Sequence, residues 1–296
     1  MRKRWIVGLW LAALGAAGLL FFLFGAQSNA TAGAPLMLEP DGRYTTPVMI
    51  DGEGPFPFIV DTGAQRSVIS RDLTDRLALT MVPGAYVKAT SGNGGGGITF
   101  LKTYSSALFG RTAAMMVVLP PGGIVRHGVM GMELFGSRRL EMNFADGTVS
   151  SAASQPTPRG FAAVPVSIVQ GTFLVAEVTV DGVHAKALID TGARRTLGNV
   201  LLRKALGFSH DDARLADAQP VGGATLHSTQ AMQAPLGVLI LGEHRFEHPV
   251  VTFSDISVLR ALELSDQPAL VIGLDLLRTL KAVAIDYPRS ELQVKP

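Results

Sequence analysis

The chain has 296 residues and no cysteine. That excludes disulfides, thiol nucleophiles and cysteine-based zinc sites, so stability has to come from core and sheet. Charge is also sparse, at 17% of residues. The formal net charge of +2 includes three positives at Arg2, Lys3 and Arg4, which leaves 23 minus 24, or −1, for the remainder. Aromatics reach only 7%, and no basic stripe is interleaved with them, which argues against nucleic acid as a partner. Apolar residues, by contrast, make up 47%, enough for a substantial core in one two-lobed unit or two small domains.

One stretch lacks charge altogether. Trp5 to Ala26 runs 22 residues without a charged side chain, preceded by the three basic residues and followed by Gln27-Ser28-Asn29-Ala30-Thr31-Ala32. An N-terminal hydrophobic helix is expected here, with two readings of its fate. Its length suits an uncleaved membrane anchor, since about 20 apolar residues span a bilayer. The small residues around Ala30 and Ala32 suit signal-peptide cleavage, although signal cores usually run only about 7 to 15 residues. The length favours the anchor. Both readings export the chain, to the periplasmic face of an inner membrane or to the periplasm or medium, with the positive end kept inside.

The most informative feature is a repeat. Asp61-Thr62-Gly63-Ala64 recurs as Asp190-Thr191-Gly192-Ala193, each time directly after an apolar pair, Ile59-Val60 and Leu188-Ile189. Aligned at an offset of 190 minus 61, or 129, the copies also match Ser67 with Thr196, Ser70 with Asn199, Leu73 with Leu202 and Leu77 with Leu206. Ser70 and Asn199 are good N-cap residues before leucines four apart, so a short helix is expected after each motif. Upstream, Asp51-Gly52 and Asp181-Gly182 between apolar runs signal hairpins. Downstream, Val129-Met130-Gly131-Met132-Glu133-Leu134 matches Val271-Ile272-Gly273-Leu274-Asp275-Leu276. Each leads to a closing strand pair, Leu140 to Val149 with a turn at Asp146-Gly147, and Val283 to Val294 with a turn near Pro288. The expected organisation is 1–33 signal or anchor, 34–150 first lobe, 151–161 connection and 162–296 second lobe.

An Asp at the end of a buried strand is costly as an anion, so two matched ones imply a shared site. Carboxyl groups a hydrogen bond apart cannot both ionise cheaply; one pKa falls, the other rises, and the pair holds one proton. The ionised member can then take a proton from water while the protonated member donates to a carbonyl oxygen, with no metal, cofactor or covalent intermediate required. Gly63 and Gly192 are expected to permit a tight loop and close approach that a Cβ obstructs.

These motifs resemble those of the retropepsin-like aspartic proteases, with the two halves fused in one chain as in pepsins. The resemblance covers about Tyr44 to Val294 and rests on the two hydrophobic-hydrophobic-Asp-Thr-Gly motifs, on Val129-Met130-Gly131 and Val271-Ile272-Gly273, and on Gly-rich flap candidates. The candidates are Ser91-Gly92-Asn93-Gly94-Gly95-Gly96-Gly97 and Val221-Gly222-Gly223-Ala224, with Gly94, Gly95, Gly222 and Gly223 as flap or substrate-binding positions. It implies a mostly β, two-lobed, pseudo-twofold acid-protease fold, each lobe a closed barrel with one or two short helices. It also implies an aspartic endopeptidase with Asp61 and Asp190 as catalytic residues, and Thr62 and Thr191 hydrogen-bonding across the two loops to hold the carboxyls. The partner is then an extended polypeptide substrate, and the chain a monomer of two fused lobes. Departures exist. Ala64 and Ala193 replace the Ser or Thr common in pepsins, and Gln65-Arg66 and Arg194-Arg195 replace the acidic residues frequent in the retroviral type. A non-catalytic peptide-binding or scaffold module on the same fold is the alternative, and pairing of the first half with another chain is a third arrangement.

Other features are assigned blandly. Glu243-His244 and Glu247-His248 have the spacing of helical metal ligands, but Gly242 and Pro249 bracket them, which indicates a hairpin and no metal site. Met115-Met116 is expected in a core strand, and Arg138-Arg139 and Arg194-Arg195 as solvated or dipole-facing charges.

Overall fold

A computed structural model describes residues 32–89, 92–119, 127–209, 211–222 and 228–296. The N-terminal apolar run and the helix expected there lie outside the described residues, as does Gly223. Among the described residues no helix is long and apolar enough to cross a membrane.

The fold is mostly β and two-lobed. In the first lobe a six-membered ring of strands closes on itself. Tyr44–Ile50 pairs with Glu53–Val60, which pairs with Gly128–Met130, then Val68–Ser70, Gly110–Leu119 and Gly92–Ser106, and the last returns to Tyr44–Ile50. The hairpin that starts the ring turns at Asp51-Gly52, where φ values of 49° and 90° supply the two left-handed residues that a tight primed turn needs. Its counterpart turns at Asp181-Gly182, with φ of 45° and 84°.

The second lobe follows the same circuit through Phe173–Val180, Val183–Ile189, Ala269–Ile272, Leu197–Gly198 and Val250–Phe253 to Ser228–Pro235. Here the strand that closes the ring is broken. Leu236-Gly237 separates Ser228–Pro235 from Val238–Leu241, and only the second piece pairs back to Phe173–Val180. Leu236 N–H still donates to Pro249 O at 2.9 Å and His248 N–H to Gly237 O at 2.8 Å, but Pro249 has no N–H to return a bond to Leu236.

Both expected helices form, Arg71–Arg76 and Val200–Ala205, and both are capped as the repeat indicates. Ser70 Oγ accepts from Leu73 N at 3.2 Å, and Asn199 Oδ1 from Leu202 N at 2.8 Å. Ser257–Ala261 and Leu274–Leu277 bring the second lobe to three short helices, one more than expected. The Glu243 and His244 segment is a hairpin, Val238–Leu241 against His244–Glu247, and Met116 is fully buried in Gly110–Leu119.

A six-stranded antiparallel sheet joins the lobes, in the order Ala32–Pro35, Thr148–Ala152, Arg139–Asn143, Ala282–Asp286, Glu291–Lys295, Ala162–Val169. The two closing hairpins meet at its centre, with Leu140 opposite Ile285 and Met142 opposite Val283. Leu140, Met142, Val149, Val283, Ile285, Leu292 and Val294 are fully buried. At about 1.5–3 kcal/mol per buried aliphatic side chain, this sheet is a major reason the halves stay together. Residues 153–161 connect the lobes, and Gln155 N–H donates to Asp286 Oδ2 at 3.0 Å along the way.

This sheet also corrects one expectation. Arg139 is not a solvated charge; it is 3% exposed, donates to Gln293 Oε1 at 2.8 Å and to Glu141 Oε2 at 2.7 Å, and lies over the Phe161 ring. The partner strand creates that environment, because Arg139 stands opposite Asp286 across the joint between the lobes. Arg138 likewise donates to Ser151 Oγ at 2.6 Å.

Candidate active site

Each motif aspartate ends a central strand. Glu53–Val60 delivers Asp61 and Val183–Ile189 delivers Asp190, and each strand runs parallel to the apolar segment that ends in Gly131 or Gly273. Asp61 N–H donates to Met130 O at 3.3 Å and Asp190 N–H to Ile272 O at 3.1 Å. A tight loop follows, held from behind by Met132 N–H on Ala64 O at 2.9 Å and Leu274 N–H on Ala193 O at 2.8 Å. The hydrophobic-hydrophobic-Gly segments therefore act as clamps on the two Asp loops.

The loops interlock. Thr62 Oγ1 donates to Ile189 O at 2.8 Å and accepts from Thr191 N at 3.0 Å. Thr191 Oγ1 donates to Val60 O at 2.7 Å and accepts from Thr62 N at 3.1 Å. Both threonines are fully buried, so these four bonds satisfy backbone groups that otherwise lie unpaired away from water.

The interlock sets each carboxyl beside the other lobe's glycine. A Cβ on Gly63 stands 2.5 Å from Asp190 Cγ, and one on Gly192 collides with the Asp61 carboxyl. No side chain fits at either position, which is the physical reason for glycine in both motifs. The carboxyls are within hydrogen-bond reach of each other. Gly63 N–H donates to Asp61 Oδ1 at 2.8 Å. Asp190 Oδ1 receives two such donors, Gly192 N at 2.8 Å and Ala193 N at 3.0 Å.

Asp190 is 7% exposed, while Asp61 keeps partial exposure. Burial, and then repulsion from Asp190 and the hydrogen bond with it, hold the Asp61 carboxyl well above the usual carboxylate range, against the opposing pull of the Gly63 amide and the Arg43 charge. Burial also raises Asp190, but the hydrogen bond from Asp61, the Gly192 and Ala193 amides and the Arg43 charge oppose the rise. The arrangement is that of a pair holding one proton, titrating as a unit.

A second set of contacts lies beneath the loops. In the second lobe Asp275 accepts from Thr196 N at 2.9 Å and Thr196 Oγ1 at 2.7 Å. In the first, Glu133 Oε1 accepts from Ser67 N at 2.8 Å, while its Oε2 is buried without a partner. Burial raises both carboxyls. These acids were visible in the sequence as matching positions of the repeat, but nothing in the pattern marked them as loop supports. Arg43, also missed, is 7% exposed and reaches Gly192 O with Nε at 3.0 Å.

The flap candidates fall on hairpins. Gly94 and Gly95 stand opposite Val87 and Tyr86 in the pairing of Met81–Ala89 with Gly92–Ser106. Gly222 stands opposite Ser228 where Ala216–Gly222 pairs with Ser228–Pro235. Arg194 is exposed as expected, whereas half-buried Arg195 donates to Gln219 O at 3.1 Å and so ties the second Asp loop to the second hairpin.

Residues 46–134 match the family model described as aspartyl protease. No curated protein matches. Among solved structures the chain is similar to a retropepsin-like aspartic protease from Rickettsia conorii, at 18% identity over 47% of this chain and 94% of that one, with a TM-score of 0.33. The family match over the first lobe supports the resemblance to the retropepsin-like aspartic proteases.

Proposed function

We propose that the chain is an aspartic endopeptidase that hydrolyses peptide bonds of an extended polypeptide between Asp61 and Asp190. The observation that carries this is the crossed pair itself, buried Asp190 and half-buried Asp61 from opposite repeats, within hydrogen-bond reach and fixed by the Thr62 and Thr191 bonds. A binding module has little reason to keep two mutually repelling acids in one buried place. The ionised carboxyl takes a proton from an attacking water, and the protonated one donates to the scissile carbonyl oxygen. An extended substrate lies between the lobes near the hairpins bearing Gly94, Gly95 and Gly222, with alternate side chains facing opposite ways. The uncharged run Trp5 to Ala26 supports placing this activity on the outer face of a membrane, or free outside it after cleavage.

The pH dependence follows from the carboxyl shifts. Activity rises as the first proton leaves the pair and falls as the second leaves, and burial moves both steps upward. Ala64 and Ala193 bring no hydroxyl to favour the charged form. The expected optimum is mildly acidic to neutral; a measured optimum below about pH 3 contradicts it.

The direct test is digestion of a peptide library by the full chain, with and without a statine-type inhibitor, across mild acid to neutral pH. Inhibitor-sensitive cleavage is expected. Its absence across that range moves the assignment to a non-catalytic peptide-binding module.

A further inference from the structure

The two loops have the same shape but not the same electrostatics, and the difference traces to one residue. Arg43 precedes strand Tyr44–Ile50 of the first lobe and is almost fully buried. Its Nη1 is held by Asp41 Oδ2 at 2.5 Å, and its Nε crosses to the second lobe to donate to Gly192 O at 3.0 Å. That carbonyl belongs to the peptide unit whose N–H, on Ala193, donates to Asp190 Oδ1 at 3.0 Å. A cation thus pulls on one end of a peptide dipole whose other end grips one carboxylate, and hydrogen bonds in such a chain strengthen one another.

The Arg43 charge acts on both carboxyls, but among the described residues no side chain reaches the first loop's peptide in the same way. Counting back eight residues from the turns Asp51-Gly52 and Asp181-Gly182, the position matching Arg43 is Phe173. Among the described residues Asp61 has one amide donor to its carboxyl, from Gly63, where Asp190 has two. The remaining charges nearby are balanced between lobes. Glu133 lies under the first loop with Arg66 beside it, and Asp275 under the second with Arg195 beside it.

We propose that Arg43 is a positioning residue that gives the carboxyl pair a fixed polarity, holding Asp190 as the carboxylate through the Gly192–Ala193 peptide and leaving the shared proton on Asp61. Resting on the endopeptidase reading, this makes Asp190 the base that accepts the proton of water and Asp61 the acid that donates to the carbonyl.

The test is a titration of the Asp61 and Asp190 side-chain carboxyl carbons by NMR in the full chain, alongside the pH profile of peptide cleavage. In the wild type Asp190 ionises first. Arg43→Met moves the Asp190 step and the acid limb of the profile upward by about one pH unit, because loss of a neighbouring positive charge disfavours the anion. Arg43→Lys moves both back toward the wild type. Arg43→Gln, which keeps a neutral donor, shifts them upward by about half a unit and serves if Arg43→Met does not fold. A purely structural role lowers kcat in these variants without moving either limb, and that result overturns the proposal. So does a wild type in which Asp61 ionises first. The carbon titration needs no turnover, so the expected order in a chain that cleaves nothing sinks the endopeptidase reading while leaving the polarity of the pair intact.

Discussion

The two lobes repeat one backbone plan and differ in how it is completed. In the first, one strand, Gly92–Ser106, runs from the flap hairpin into the closure of the barrel; in the second, the same path is cut at Leu236-Gly237 and resumes as Val238–Leu241. Beneath the Asp loops, Asp275 fills both of its oxygens, whereas Glu133 leaves one buried and unpaired. Arg43 hydrogen-bonds the second loop, and among the described residues the first loop has no counterpart to that bond. The pseudo-twofold axis is therefore obeyed where the loops touch each other and broken in what stands behind them. Backbone symmetry places two carboxyls together; side-chain asymmetry decides how they share a proton.

The crossing itself is open to the strongest attack. Gly63→Ala and Gly192→Ala each drive a methyl into the opposite carboxyl, and each is expected to lower kcat/KM by about 100-fold or more, since small misplacements of reacting groups carry that cost. Kinetics on both variants checks this, and a tolerated methyl at either position means the carboxyls do not cross as described.

Symmetry at the threonines predicts matched losses of stability. Thr62→Val strands Ile189 O and Thr191 N, and Thr191→Val strands Val60 O and Thr62 N. At about 1–3 kcal/mol per buried unsatisfied group, each change costs about 2–6 kcal/mol in denaturant unfolding. A large cost on one side only breaks the comparison at its most symmetric point.

The smallest effect sharpens the asymmetry. Asp275→Asn turns a donor toward Thr196 N–H and is expected to cost about 1–3 kcal/mol. Glu133→Gln is expected to cost less, because Oε2 has no bond to lose and can be replaced while Oε1 keeps its bond from Ser67 N. Equal costs in unfolding experiments remove the distinction between the two loop supports.

Much of this plan was legible from local signals. Asp-Gly pairs set the hairpin turns, Ser70 and Asn199 capped their helices, and the doubled Asp-Thr-Gly-Ala brought Asp61 and Asp190 to one place. The residues that escaped are those whose environment comes from the other half of the chain. Arg139 looks like half of an exposed basic pair until the strand Ala282–Asp286 covers it. Arg43 gains meaning only because the second lobe presents Gly192 O to it. The broken strand of the second lobe was readable in principle, since Pro235, Gly237 and Pro249 stand in the sequence where the ladder fails.

One comparison weighs most directly whether the paired carboxyls act as a single centre: inhibitor-sensitive peptide cleavage by the wild type, Asp61→Asn and Asp190→Asn, each verified as folded. Both variants are expected to lose at least about 100-fold in rate, because each removes one half of the acid and base pair. Substantial cleavage by folded Asp190→Asn contradicts a shared site.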